Sequence, residues 1–295
     1  MMNRKLSTLM FATAALLASC SQNDELQSTV NDNEGLKPVT ISVAMPTEGM
    51  TTRATNASGD EEVTRCLIQI LDENSQPLEG YETPATMDGT EAGGFTKTVT
   101  LNPTKTHRIL FWADRGADYY TTANGLNQVT MADNLLTPDI AYTASTTWGG
   151  VQTPTAITAE LQHAVSKITL HTTTTVSSGK TLSINVPTTY TGFNVNYGQP
   201  INQTSNGSTY SKTLQTAVPA NSNVFSFYVL ADGEQNQILT LTNDGAETEI
   251  ENVPVKPDTH IILQGDVQYA GYTQVTFTAK INIEWGITET ETINN

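Results

Sequence analysis

A cysteine near the start of the chain stands in a sequence that suits covalent attachment of lipid. The run Leu17–Cys20 (Leu-Ala-Ser-Cys) fits the lipobox, in which small residues let a signal peptidase cut just before the cysteine. The new N-terminal residue then carries the lipid, including palmitate. Upstream, the apolar run Leu6–Leu17 follows two basic residues and is too short to span a bilayer as a helix. We therefore predict a signal peptide over residues 1–19 and lipidation at Cys20; the alternative is an ordinary signal peptide with a chance cysteine.

An arginine further along is placed to be a protease site. Residues 47–60 are small and polar, and Arg53 is their only basic residue. A trypsin-like protease needs an exposed, extended loop with a basic residue at the bond that it cuts. This stretch therefore fits a cleavage site at Arg53.

The remaining side chains that could do chemistry are scattered. The four histidines have no partner at metal-ligand spacing, and the sequence lacks the serine-hydrolase, zinc-protease, phosphate-loop and dinucleotide motifs. Asp114 and Asp118 could hold a cation with nearby carbonyl groups, although Gly116 between them favours an acidic turn. We therefore expect no enzymatic activity, no cofactor and no metal site.

One tryptophan is a candidate contact for a sugar ligand. Trp112 and Trp285 share a parity with the apolar residues of their predicted strands, which indicates burial. Trp148 precedes two glycines, Gly149 and Gly150, and this sequence indicates a loop. Of the three tryptophans, Trp148 alone is therefore a candidate for contact with a ligand.

The net charge of the chain disfavours two classes of binding partner. There are 30 acidic and 14 basic residues, and the net charge is -16. Nucleic acids and anionic membrane surfaces select lysine and arginine, so neither is an expected partner. The balance instead favours a domain exposed at the exterior of the cell.

Many short apolar or alternating segments predict an all-β fold. Val39, Ile41 and Val43 alternate with polar residues, as in a strand with one face in the core. Arg108–Ala113 is apolar almost throughout and predicts a central strand buried on both faces. Cys66 shares a parity with apolar neighbours, so we predict a buried structural thiol. No stretch has an apolar stripe at helical spacing.

The spacing of these segments predicts two β-sandwich domains in tandem. A polar tether covers residues 20–37, the N-terminal domain residues 38–158 and the C-terminal domain residues 159–295. Within the first domain, residues 114–150 are rich in Gly, Asn and Tyr and indicate an elaborated loop with short elements.

The strand predicted near the end of the sequence has the most regular pattern. Apolar residues occupy one parity and polar residues the other, so the apolar face must lie on a hydrophobic groove. The groove belongs either to the same chain or to a neighbouring subunit. The apolar positions are Val275, Phe277, Ala279, Ile281, Ile283 and Trp285.

In its order of features the chain resembles the fimbrillins, the lipoprotein precursors that build type V pili. Four stretches carry the likeness, and they span the mature chain. They are Leu17–Cys20, Thr51–Ala54 after the first strand, Leu161–Ile168 at the start of the second domain, and Ile281–Gly286. The resemblance implies transthyretin-like β-sandwich domains and a surface-exposed lipoprotein of the outer membrane that becomes part of a fimbria.

The resemblance also implies an assembly mechanism. A protease would cut between Arg53 and Ala54, and the first strand, with Val39, Ile41 and Val43, would be withdrawn. The vacated groove would accept a strand from another fimbrial subunit. The candidate donor is the segment Val275–Trp285, with the tail Ile287–Ile293 as a further candidate. If Val275–Trp285 stays in its own domain, the protein accepts a strand without giving one. A host surface receptor is a further expected partner.

A second hypothesis comes from a different class of protein. A monomeric surface lipoprotein would bind host or dietary glycans through an exposed aromatic ring such as that of Trp148. Its affinity for the glycan would not depend on cleavage at Arg53. The fimbrial hypothesis instead requires that cleavage changes what the first domain can bind.

Overall fold

The computed structural model describes residues 35–46, 63–90, 94–132, 138–150, 154–272, 275–282 and 290–293. These belong to one compact unit, residues 35–295. The described residues are nearly all in strands, turns and loops, so the predicted all-β class is confirmed. None of them forms a helix long and apolar enough to cross a membrane.

Twenty-two strands and two short 3-10 helices make up the described fold. The strands of the first half are β1 (Lys37–Ala44), β2 (Arg65–Leu71), β3 (Ala85–Thr86), β4 (Asp88–Gly89), β5 (Phe95–Leu101), β6 (His107–Asp114), β7 (Tyr120–Thr121), β8 (Val129–Met131), β9 (Ala141–Trp148), β10 (Ala156–Glu160) and β11 (Gln162–His163). Those of the second half are β12 (Ser166–Thr172), β13 (Thr181–Val186), β14 (Tyr190–Asn194), β15 (Gln199–Gln203), β16 (Ser208–Thr213), β17 (Ser222–Val229), β18 (Gln237–Asn243), β19 (Ala246–Val253), β20 (His260–Gly265), β21 (Thr278–Asn282) and β22 (Thr290–Ile293). The 3-10 helices are Leu126–Gln128 and Val267–Tyr269.

The first sandwich is formed by two sheets that pack face to face. Sheet I has the strand order β10-β1-β5-β4, and sheet II has the order β11-β9-β6-β2-β3. Alternate residues of these strands point inward and enclose one core, as the period of two requires. Buried members of this core include Ile41, Val99, Ile68, Ile109 and Phe111.

The second sandwich has the same construction from later strands. Sheet III has the order β17-β12-β20-β21-β22, and sheet IV has the order β16-β13-β18-β19. In sheet III, β12 runs parallel to β20 and antiparallel to β17. Buried members of this core include Leu182, Ile184, Leu241, Ile261 and Phe277.

A third layer joins the two halves of the chain. Sheet V has the order β15-β14-β8-β7, so strands from both halves share one sheet, with Phe193 of β14 opposite Val129 of β8. This layer covers the face of sheet II that points away from sheet I, and Trp112 packs there at 5.7 Å between ring centroids from Phe193. The central strands β2 and β6 of sheet II are therefore buried on both faces.

Burial on both faces explains the composition of the central strands. The segment Arg108–Ala113 lies within β6, between β9 and β2, so the predicted central strand is confirmed. Its alternate residues enter the core of the first sandwich and the third layer in turn. Both parities must therefore be apolar.

One detail of the first domain was not foreseen. The region 114–150, predicted as an elaborated loop, contains the eight-residue strand β9, which pairs with β6 along its whole length. The predicted domain boundary, at residue 158, lies within β10, which pairs with β1. The division of the chain into two domains at this residue stays a prediction.

Candidate functional site

The strand whose withdrawal the resemblance implies, β1, lies in the interior of sheet I. It runs parallel to β10 on one side and antiparallel to β5 on the other. Backbone hydrogen bonds continue beyond the ends of the ladder with β10: the Thr40 N–H donates to the Thr155 carbonyl at 2.9 Å, and the Leu161 N–H to the Ala44 carbonyl at 3.0 Å. Removal of β1 would leave a gap with two unpaired strand edges.

The inward side chains of β1 fill the core of the first sandwich. Val39 and Ile41 are 0% exposed and Val43 is 2% exposed. Burial of each such side chain stabilises the fold by roughly 1.5 to 3 kcal/mol. The gap left by β1 would therefore be a row of three apolar pockets.

The outward face of the same strand is polar. Thr40 lies beside Thr98 of β5, with 3.4 Å between the two hydroxyl oxygens. The Thr96 hydroxyl donates to the Ile41 carbonyl at 3.1 Å. An occupant of this position must therefore alternate apolar side chains with small polar ones.

Two residues of the neighbouring segment shape one end and the middle of the site. A Cβ on Gly94 would lie 2.5 Å from the Val43 carbonyl oxygen, so a glycine lets the two backbones approach here. Lys97 lies opposite Ile41, and its ammonium group donates to the Thr86 carbonyl at 2.9 Å. One half-buried cation thus accompanies the three pockets.

The other residues predicted for this process lie outside the described residues. These are Cys20, Arg53 and Ala54. Their roles remain predictions from the sequence.

The candidate donor segment lies within the second sandwich where it is described. β21 pairs antiparallel with β20, and Phe277, Ala279 and Ile281 are buried in the core of that sandwich. Val275 is half-buried against the same core. The side chains of Ile283 and Trp285 lie outside the described residues.

Trp148 is in a strand rather than in a loop, so that prediction is wrong. It ends β9 and is only 3% exposed. Its indole N–H donates to the Pro154 carbonyl at 2.9 Å, and its ring stacks on His107 at 5.8 Å between centroids. Burial lowers the pKa of His107, which favours a neutral imidazole in this stack. The tryptophan ring packs in the core and is not offered to a sugar.

The carboxylate of Asp114 is fully occupied by hydrogen-bond donors. Arg65 donates Nε to Oδ1 at 2.6 Å and Nη2 to Oδ2 at 2.9 Å. The Trp112 indole N–H and the Gly116 N–H each donate at 2.8 Å. Asp118 is exposed. Within the described ranges, no group of three or more His, Cys, Asp or Glu side chains could hold a metal ion.

Cys66 is buried, as the sequence predicted. Its sulfur lies 3.7 Å from the Met87 sulfur, and burial raises the pKa of the thiol to about 12. A thiolate is the reactive form of cysteine. Burial therefore lowers the reactivity of this thiol in two ways: it keeps reagents away from the sulfur, and it raises the pKa so that little thiolate forms.

We expect Cys66 to be almost unreactive in the folded chain. The rise of its pKa from an ordinary value of 9.0 to about 12 lowers the thiolate fraction at pH 8 by about 1000-fold. Ellman's reagent should therefore label residues 21–295 only after denaturation. Tyr272→Cys, at a position 55% exposed, is the matched control and should add one rapidly labelled thiol. Rapid labelling of the unsubstituted chain would contradict the described burial.

The fold and the site define a class of protein: two β-sandwiches, the first of which is completed by a strand near the N-terminus. Residues 31–290 match the profile of a family described as "Family of unknown function (DUF6562)", and the chain belongs to that family. No curated protein sequence matches it.

Solved structures with a similar fold include cell adhesion and fimbrial proteins. A candidate cell adhesion protein from Bacteroides ovatus ATCC 8483 is 18% identical, with a TM-score of 0.51, over 86% of this chain and 100% of that chain. A second, from Bacteroides uniformis ATCC 8492, is 15% identical, with a TM-score of 0.50, over 85% of this chain and 98% of that one. The fimbrial anchor protein Mfa2 from Porphyromonas gingivalis is 11% identical, with a TM-score of 0.45, over 88% of this chain and 100% of that chain. The expected resemblance is confirmed at the level of the fold.

Proposed function

We propose that this protein is a structural or adhesive subunit of a cell-surface fimbria. It reaches the outer membrane as a lipoprotein attached through Cys20, and it assembles by strand exchange after cleavage between Arg53 and Ala54. The observation that carries the proposal is the position of β1, an interior strand with three buried apolar side chains that directly precedes the stretch with the lone arginine.

The placement of the arginines supports cleavage at one position. Beyond the predicted signal peptide the chain has four arginines. Arg65 and Arg108 lie in the interior strands β2 and β6, and Arg115 pairs with Asp139 at 3.0 Å. Arg53 stands among small polar residues. An Arg-specific protease therefore has one favoured target.

The energetics support a precursor that cannot assemble early. While β1 is covalently attached, it occupies the pockets and both strand edges. Three buried side chains contribute roughly 1.5 to 3 kcal/mol each before entropy costs, so an occupant of the groove dissociates slowly. Cleavage turns β1 into a separate segment that another strand can replace.

The test uses residues 21–295 and an Arg-specific protease under native conditions. We expect a new N-terminus at Ala54 and a cleaved chain that, after mild denaturant removes the N-terminal fragment, binds a fluorescent peptide of residues 35–53. A peptide with Ile41→Asp should bind at least about 100-fold more weakly, because a carboxylate would be buried in the central pocket.

The matched control for cleavage is Arg53→Lys, which keeps the charge but removes the target of the protease. This variant should stay intact and bind no peptide. If the wild-type chain is cut at Ala54 and still binds no peptide after its fragment is removed, strand exchange is refuted.

A further inference from the structure

We infer that the groove of β1 receives its strand from a protein of different sequence, and not from a second copy of this chain. The inference rests on the proposed function, because it concerns which strand replaces β1. It assigns to the groove a partner with a defined side-chain pattern.

The groove itself sets that pattern. In sheet I, Val39 lies opposite Val99, Ile41 opposite Ile157 and Val43 opposite Ala159. All three β1 residues point into the core. A replacement strand must therefore carry three aliphatic side chains at alternate positions, with small polar residues between them.

The candidate donor segment, Val275–Trp285, is committed to the second sandwich where it is described. The Phe277 ring packs directly on Gly265, where an added Cβ would lie 2.5 Å from the ring atom Cδ1. β21 is also hydrogen-bonded on both sides, to β20 and to β22. Donating it would break both ladders and empty part of the second core.

The sequence after this strand fits the groove poorly. In Ile287–Ile293, the parity that holds the two isoleucines also holds Glu289 and Glu291, and the other parity is all threonine. Lys97 lies opposite only one of the three inward positions, that of Ile41, and its ammonium group already donates to the Thr86 carbonyl. Two carboxylates at alternate positions would therefore not both lie beside a cation. An unpaired buried carboxylate is strongly unfavourable.

The polar stretch before β1 is equally unsuitable. Residues 21–36 carry Asn, Asp, Gln, Ser and Glu at most positions and have no three aliphatic residues at alternate positions. The fitting partner is therefore an extended, aliphatic-polar strand of another subunit. This chain then accepts a strand from another protein and donates none to a second copy of itself.

The experiment compares self-association with peptide binding in the same cleaved chain. After cleavage at Arg53 and removal of the N-terminal fragment, we expect light scattering to report the mass of one chain at a concentration of about 100 µM. The same sample should bind the fluorescent peptide of residues 35–53. Both results together support the inference.

A cross-linked variant separates the outcomes. Ile262 and Lys280 are opposite each other in β20 and β21, so Ile262→Cys with Lys280→Cys can fix β21 in place when oxidised. Homo-oligomers that form in the cleaved wild-type chain and disappear in the oxidised variant would show that β21 is donated. Homo-oligomers that persist in the variant would show donation by another segment of this chain. Either result overturns the inference while strand exchange stands; absent peptide binding overturns both.

Discussion

Asp114→Asn is expected to lower the free energy of unfolding by roughly 3 to 5 kcal/mol, as for the loss of one partner from a buried ion pair. The Asp114 side chain is 0% exposed and that of Arg65 is 20% exposed. Four donor groups point at the two carboxylate oxygens. An asparagine would turn its own N–H groups toward some of these donors and leave the guanidinium without a counter-charge.

Urea denaturation of residues 21–295 measures this effect. Asp118→Asn is the control, because Asp118 is exposed and its substitution should change the free energy of unfolding by less than about 0.5 kcal/mol. A stability of Asp114→Asn within about 1 kcal/mol of the wild-type chain, as for an exposed ion pair, would mean that the buried pair has little energetic importance.

Phe277→Ala is expected to cost about 3 to 5 kcal/mol, because the ring would leave a cavity in the second core. Phe277 is 2% exposed and covers Gly265. The loss should appear as a lower midpoint in the urea denaturation of residues 21–295. This prediction also concerns assembly. If the Phe277 ring stabilises the second sandwich this strongly, donation of the segment that carries it is energetically costly.

The control for this substitution is Tyr269→Ala, at an aromatic side chain that is 53% exposed. Its removal should leave the urea midpoint almost unchanged. Equal, small effects of the two substitutions would indicate that Phe277, which directly precedes β21, contributes little to the second sandwich. That result would weaken the argument against donation of this segment.

Several elements could be predicted because the signal was local. The alternation of Val39, Ile41 and Val43 reports which side chains are buried, and the structure buries all three. Cys66 was predicted as buried from its parity alone, and it is. Each of these inferences needs only the period of two of a strand.

Other features depended on contacts that a local pattern does not report. β9 is rich in threonine and small residues, so its sequence has no apolar alternation to mark it as a strand. It is ordered by pairing with β6, and that pairing also buries Trp148. The glycines after Trp148 correctly predict a turn. They do not indicate whether the Trp148 ring is buried in the core or exposed to solvent.

The sequence by itself determined the all-β class and the buried face of β1, because alternate residues report which face of a strand is buried. Only the tertiary structure decided that β1 lies between β5 and β10, and that β21 is bound into the second sandwich. The physical reason is that strand pairing is non-local: β1 meets a partner more than a hundred residues away, and backbone hydrogen bonds do not depend on the side chains of the strand with which they pair.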